Sequence, residues 1–129
     1  MSKNDSPNLN DLLACAVEAA RRAGDHAQSQ SHRRHEVLQR FDHDVKLNLD
    51  REAQDKAEEV IQHHFPHHAI LGEEGEVAGE SGEWRWVIDP IDGTVNFAHQ
   101  MPLWCSSVAI QKNKKSVAGA VYVPPLNEL

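Results

Sequence analysis

The residues that carry the most chemistry in this chain are carboxylates, and they come in pairs. Glu73 and Glu74 follow a short apolar run and a glycine, and Asp89 and Asp92 follow a second apolar run and straddle Pro90. Each pair is therefore expected in a loop at the C-terminal end of a short strand. Carboxylates held close together repel one another unless a cation intervenes. Hard oxygen donors with several waters suit Mg²⁺, and the absence of Cys and His from this cluster argues against zinc. Within Asp89-Pro90-Ile91-Asp92-Gly93-Thr94, Pro90 restricts its own φ and holds the preceding residue extended. Two carboxylates across a short rigid turn can grip neighbouring metal ions, with the Ile91 carbonyl as a further hard ligand. Gly93 permits close backbone approach, and Thr94 to Phe97 start a short helix whose free N–H groups suit phosphate oxygens.

These residues need elements to position them. Leu9, Leu12, Leu13, Ala16, Ala20, Ala23 and Ala27 recur at spacings of three and four, which predicts a helix capped by Asn8 or Asn10 and running to about Gln30. Its alanines require a neighbour that approaches closely. A second helix is predicted from about Asn48 to His64, with Ala53, Ala57, Val60, Ile61 and His64 inward and Asp50, Glu52 and Asp55 at its positive end; Phe65-Pro66 stops it. The period then changes to that of strands, at His68–Leu71, Trp84–Ile88, Cys105–Gln111 and Ser116–Val123, the last two forming a hairpin around Lys112–Lys115. Residues 31–43 carry no clear pattern. Two helices followed by strands predict an α+β fold, the helices packed on one face of a largely antiparallel sheet.

Length and composition bound the rest. The 129 residues are the size of one domain, read as a disordered N-terminus over 1–7 and one folded unit over 8–129. Acids outnumber Lys plus Arg by 20 to 13, a net charge of −7, which argues against nucleic acid as the main partner. The polar start is unlike a signal peptide, and the apolar stretch near Val117–Val123 is too short to span a membrane. Cys15 and Cys105 read as reduced, buried cysteines of a cytoplasmic protein. The His63-His64 and His67-His68 pairs read as solvated or bound to terminal carbonyls. Arg33-Arg34 and Lys112, Lys114 and Lys115 read as solvated faces, and Trp84, Trp86 and Trp104 as core and packing residues.

Gly72-Glu73-Glu74 and the run Asp89 to Phe97 (Asp-Pro-Ile-Asp-Gly-Thr-Val-Asn-Phe) closely resemble the two N-terminal motifs of the inositol monophosphatase family. These are Mg²⁺-dependent, lithium-sensitive phosphatases related in fold to fructose-1,6-bisphosphatase. The resemblance extends back through Asp44-Val45-Lys46 and Asp50, and forward through Met101-Pro102 to Gly119-Ala120-Val121-Tyr122. It implies the first domain of that fold, with the C-terminal domain and its Trp-Asp-containing motif absent.

Carried over residue by residue, the resemblance implies Mg²⁺ ligands at Glu73, Asp89 (bridging two metals), the Ile91 carbonyl and Asp92. Asp92, Gly93 and Thr94 would contact the substrate. Thr94, paired with Asp50, would orient the attacking water, Glu74 would orient water or metal, and Asp44 would support the site. The implied reaction is direct hydrolysis of a phosphate monoester, inositol monophosphate or a similar sugar phosphate, without a covalent enzyme intermediate. Rival substrates are fructose-1,6-bisphosphate and adenosine 3′,5′-bisphosphate. The rival function is a catalytically incomplete metal-binding or assembly module. The resemblance is also compatible with a cytoplasmic homodimer, its contacts near Met101–Trp104, that has neither a membrane nor a nucleic-acid partner.

Overall fold

A computed structural model of the chain describes residues 7–40, 45–72, 77–78 and 82–129. The first helix, α1, spans Leu9–Ser29, and its N-cap Asn8 accepts a hydrogen bond from the Asn10 N–H through its side chain. That bond satisfies one of the donors that every helix start leaves open. The buried stripe begins at Leu12 and runs through Cys15, Ala16, Ala19, Ala20, Ala23, Gly24 and Ala27. Leu9 and Leu13, expected inside, are 57% and 42% exposed. The second helix, α2, spans Asn48–His64 and buries Leu49, Asp50, Ala53, Gln54, Ala57, Val60 and Ile61. Small residues on both facing stripes let the two helices approach closely, as the alanine spacing requires.

The strands are β1 (Val37–Arg40), β2 (Val45–Leu47), β3 (Ala69–Leu71), β4 (Val77–Ala78), β5 (Trp84–Asp92), β6 (Cys105–Lys112) and β7 (Lys115–Tyr122), with a short helix α3 (Thr94–Ala98) between β5 and β6. β1, within the segment 31–43 whose sequence carries no clear pattern, pairs with β2 in a small antiparallel ribbon leading into α2. The main sheet has the order β4-β3-β5-β6-β7. It is antiparallel except for β3 against β5, which run parallel, so the sheet is mixed and largely antiparallel. The fold is α+β, with both long helices against the sheet: α1 lies over β7, β6 and β5, and α2 over β5. Trp86, Ile88, Val108, Ile110, Ala120 and Tyr122 bury toward them. β6 and β7 turn through Asn113 and Lys114, both at positive φ (51° and 69°), the backbone of the two-residue hairpin that matches strand twist.

Several side chains depart from their sequence readings. Arg33 is no free surface charge: it bonds Glu52 at 2.6 Å and Glu36 at 3.0 Å, and Glu52 also meets His26 at 2.8 Å. Hydrogen bonds from Arg33 and then His26 hold the Glu52 carboxyl down to about 2. His64 is exposed and reaches Glu18 at 3.2 Å instead of facing inward. Cys15 and Cys105 are both free, but only Cys15 is buried; Cys105 is half-buried because it faces away from the helices at the start of β6. Among the described residues no helix is long and apolar enough to cross a membrane.

Two positions make the packing testable. Gly24 faces Tyr122, whose hydroxyl donates to Asp25 at 2.6 Å. A Cβ at Gly24 would come within 2.6 Å of the Tyr122 ring and 2.8 Å of Pro124. Gly24→Ala is expected to destabilise by about 1–3 kcal/mol through overpacking, measured by urea unfolding. His68 stacks between Phe65 and Trp84 and accepts a hydrogen bond on Nδ1 from the Trp86 indole N–H at 3.0 Å. Burial, then the nearby His67, push its pKa below the ordinary 6.5. The folded state therefore binds fewer protons than the unfolded one, and this stability is fully present above about 6.5 and lost as pH falls through the lower folded value. Thermal midpoints should drop below pH 6.5 in the wild type and do so less steeply in His68→Phe.

Candidate functional site

β5 carries the site, and an irregularity in it sets the geometry. Along the strand, Trp86, Ile88 and Pro90 are buried and Arg85, Val87 and Asp89 less so, the usual two-residue alternation. Strict alternation would send Asp89 and Asp92, three positions apart, to opposite faces of the sheet. The pairing with β6 prevents this. Asp89 pairs with Ser107 and Asp92 with Cys105, so Pro90 and Ile91 together face the single residue Ser106. This is a two-against-one bulge. Pro90 and Ile91 are both buried, and Asp92 emerges exposed on the side of half-buried Asp89. The strand thus continues through Pro90 to Asp92 rather than stopping at Asp89-Pro90 as the proline suggested. Pro90 lacks an N–H, and a bulge is one of the few places inside a sheet where that is tolerated.

The turn after the bulge aims Thr94 inward. Gly93 adopts φ 94°, ψ 41°, and α3 begins at the next residue. The Phe97 N–H donates to the Gly93 carbonyl at 2.9 Å, and the Phe97 ring packs edge-on against Trp104, 4.9 Å between centroids. Thr94 is 6% exposed and Asp50 2%. The Thr94 hydroxyl lies 3.0 Å from the Ile91 carbonyl and 3.2 Å from Asp50 Oδ1. It has one proton and two acceptors, so the proton is shared or alternates between them. Asp50 Oδ2 accepts from the Leu47 N–H at 2.7 Å. One carboxylate therefore ties the start of α2 to the β5–α3 corner.

Of the residues the sequence singles out, the structure joins Asp50, Thr94 and the Ile91 carbonyl by hydrogen bonds, places Asp89 and Asp92 on one side of β5, and sets Gly93 at the corner between them. Asp44, Glu73 and Glu74 lie outside the described residues. The last described residue before the glutamate pair, Gly72, is buried, and a Cβ there would collide with the Gln54 amide of α2. Gln54 is one helical turn beyond Asp50, so the same face of α2 meets both Thr94 and Gly72. Because β3 and β5 run parallel, with Leu71 level with Val87, the chain leaves β3 at the end of the sheet that carries Asp89.

The donors fit a hard divalent cation. Asp89, Asp92 and the Ile91 carbonyl offer oxygen alone. The one sulfur nearby, Cys105 Sγ, is 4.0 Å from Asp92 Oδ2. Burial first, then Asp92 and Asp89, push that thiol's pKa up. Among the described residues no three His, Cys, Asp or Glu side chains converge on one point, so those residues supply only part of a metal shell. Sequence reasoning missed two positioning contacts: the Leu47 N–H on Asp50, and the buried Ser106 hydroxyl, which donates to the Pro90 carbonyl at 2.6 Å. The three-residue spacing of two aspartates around a proline in a strand was the available sign of the bulge.

The left-handed turn at Gly93 is testable. A Cβ there would meet the Leu103 carbonyl oxygen at 3.0 Å, on a backbone that L-residues rarely adopt. Gly93→Ala should cost about 1–3 kcal/mol of stability, read from chemical denaturation midpoints.

A model of the inositol monophosphatase family matches residues 8–129. Inositol monophosphatase 1 of Solanum lycopersicum is 35% identical over all of this chain and 48% of its own length. Nus factor SuhB of Pasteurella multocida is 36% identical over 94% of this chain and 46% of its own. The crystal structure of the extragenic suppressor protein suhB from Bartonella henselae superposes with a TM-score of 0.85 at 30% identity, covering 92% of this chain and 47% of that one. The chain spans about half the length of the curated relatives it matches.

Proposed function

The chain belongs to the inositol monophosphatase family, and from that footing we propose that it is the N-terminal metal-binding domain of a Mg²⁺-dependent phosphate monoester hydrolase. The observation that carries the reading is the buried Thr94–Asp50 contact, linked through the Ile91 carbonyl to the bulge that puts Asp89 and Asp92 on one side of β5. Glu73, Asp89, the Ile91 carbonyl and Asp92 would hold Mg²⁺. When bound, the metal supplies positive charge against the phosphoryl oxygens and the departing alkoxide, and makes water more acidic.

The chain's own residues do the positioning. With the Thr94 hydroxyl donating to Asp50, its lone pair is free to accept from a water and hold it for in-line attack on phosphorus. Asp50 is held in turn by the Leu47 N–H, so the orienting pair is itself anchored. Glu74 would orient the same water or a metal. The Gly93 and Thr94 backbone, together with Asp92, would contact the substrate. The proposed substrate is inositol monophosphate or a similar sugar phosphate, with fructose-1,6-bisphosphate and adenosine 3′,5′-bisphosphate as alternatives.

Lithium sensitivity, a cytoplasmic location and a homodimer belong to the same proposal. Exposed Val95, Met101 and Leu103 around the α3–β6 connection support the last of these. The exclusion of nucleic acid on charge is not carried into it, because a relative covering 94% of the chain is named a Nus factor.

A second reading has its own support. Because the chain spans about half of its relatives, the alternative is a module that binds Mg²⁺ and hydrolyses nothing alone. Phosphate release from inositol 1-phosphate with Mg²⁺, with and without Li⁺, separates the two. Catalysis predicts lithium-sensitive turnover that Asp89→Asn abolishes and that Thr94→Ala lowers by about 10²–10⁴-fold in kcat. A folded chain that binds Mg²⁺ without turnover overturns catalysis by this chain and leaves the module.

A further inference from the structure

Ser106 sits on β6 between Ser107, the partner of Asp89, and Cys105, the partner of Asp92. It is the single residue opposite Pro90 and Ile91. Its side chain is fully buried, at 0% exposure, among positions whose other members on this face of β6, Val108 and Ile110, are apolar. A hydroxyl in such a place is costly unless it is bonded. It is bonded: Ser106 Oγ donates to the Pro90 carbonyl at 2.6 Å.

The position of that bond matters more than its strength. A bulge interrupts the ladder and leaves the extra residue's backbone groups without their regular partners. Pro90 has no N–H to offer β6, so its carbonyl is the group through which this point of β5 can be held. The Pro90 carbonyl belongs to the peptide unit that leads into Ile91. Holding it sets the orientation of the next unit, which carries the Ile91 carbonyl and then Asp92. The same Ile91 carbonyl accepts from Thr94 at 3.0 Å, so Ser106 lies behind both the carboxylate pair and the Thr94 contact.

We infer that Ser106 is a positioning residue whose buried hydroxyl holds the Pro90 carbonyl and so maintains the bulge that brings Asp89 and Asp92 to one side of the sheet. The inference rests on the reading of Asp89, Ile91 and Asp92 as metal ligands. It assigns Ser106 no contact with metal or substrate. Groups that orient metal ligands typically change affinity by about 10–100-fold when removed.

The test uses Mn²⁺ as a paramagnetic probe of the full chain, with free Mn²⁺ followed by electron spin resonance. Ser106→Ala should weaken Mn²⁺ binding about tenfold, and Ser106→Thr, which keeps the hydroxyl, should restore it. Val108→Ala removes buried volume two positions along the same strand; it should lower the thermal midpoint and leave Mn²⁺ affinity unchanged. Should Ser106→Ala not fold, Ser106→Cys carries the same comparison, since a thiol fills the space but donates weakly. Affinity equal to wild type in Ser106→Ala, or in Ser106→Cys where that variant stands in for it, overturns the inference.

A wild-type chain that binds no Mn²⁺ overturns the metal reading instead. Ser106 is then judged on amide hydrogen exchange of the metal-free protein. Faster exchange at Ile91, Asp92 and Gly93 in Ser106→Ala than in Val108→Ala supports the positioning role, and equal exchange rejects it.

Discussion

The candidate site depends on strand parity and on a break in it within β5. A β-strand sends successive side chains to opposite faces, so two aspartates three positions apart cannot act together on a regular strand. The extra residue at Pro90–Ile91 shifts the phase by one and returns Asp92 to the side of Asp89. The same shift buries Ile91 and brings its carbonyl within 3.0 Å of the Thr94 hydroxyl. Gly93, at a φ that a side chain would resist, completes the corner so that α3 starts with Thr94 pointing into the fold.

The helices matter to the site because they bring Asp50 to that corner. Alanine stripes on α1 and α2 allow close packing, and α2 in turn lies against β5. The first turn of α2 is anchored at several points: the Leu47 N–H on Asp50, the Asn48 N–H on the Glu36 carbonyl at 3.0 Å, and Glu52 on Arg33 and His26. Arg33 and Glu36 belong to the segment between α1 and β1. The apparently featureless stretch after α1 is thus the strap that orients the start of α2. Exposed ion pairs of this kind contribute little energy singly; their effect is to fix which face Asp50 presents.

Electrostatics and packing divide the work around the acidic pair. Apolar residues close the helix side of β5 and β6, where Ile88, Ile91, Val108 and Trp104 are buried. The other side holds Asp89, Asp92 and the half-buried Cys105. Oxygen donors lie there side by side, a pattern suited to a hard cation. The 0.85 TM-score with the Bartonella henselae protein shows that this architecture is shared by a chain about twice as long.

Much of this was legible in the residues. Helix spacing located α2 to its ends, because alanine and β-branched positions recur with the helical period and Phe65-Pro66 stops it. The Asp-Pro-Ile-Asp-Gly-Thr-Val-Asn-Phe run pointed to the family, and a family model matching residues 8–129 agrees. What the residues could not reveal was which atoms meet across long separations. Periodicity reports only a residue's own face; the pairing of Asp50 with Thr94, 44 positions apart, came from the family resemblance, while the Leu47 and Ser106 contacts had no such source. The end of β5 was misjudged for a related reason: a proline reads as a stop locally, and only pairing with β6 turns it into a bulge held by Ser106. Leu9 and Leu13 stayed outside because burial depends on what lies opposite a face as well as on its composition. The residue pattern was enough for the two long helices and for β3, β5, β6 and β7, because helical and strand periods are local properties of the chain. The phase of β5 at its bulge, the partners of Arg33 and the burial of Leu9 and Leu13 came with the fold, because contacts between distant segments set them.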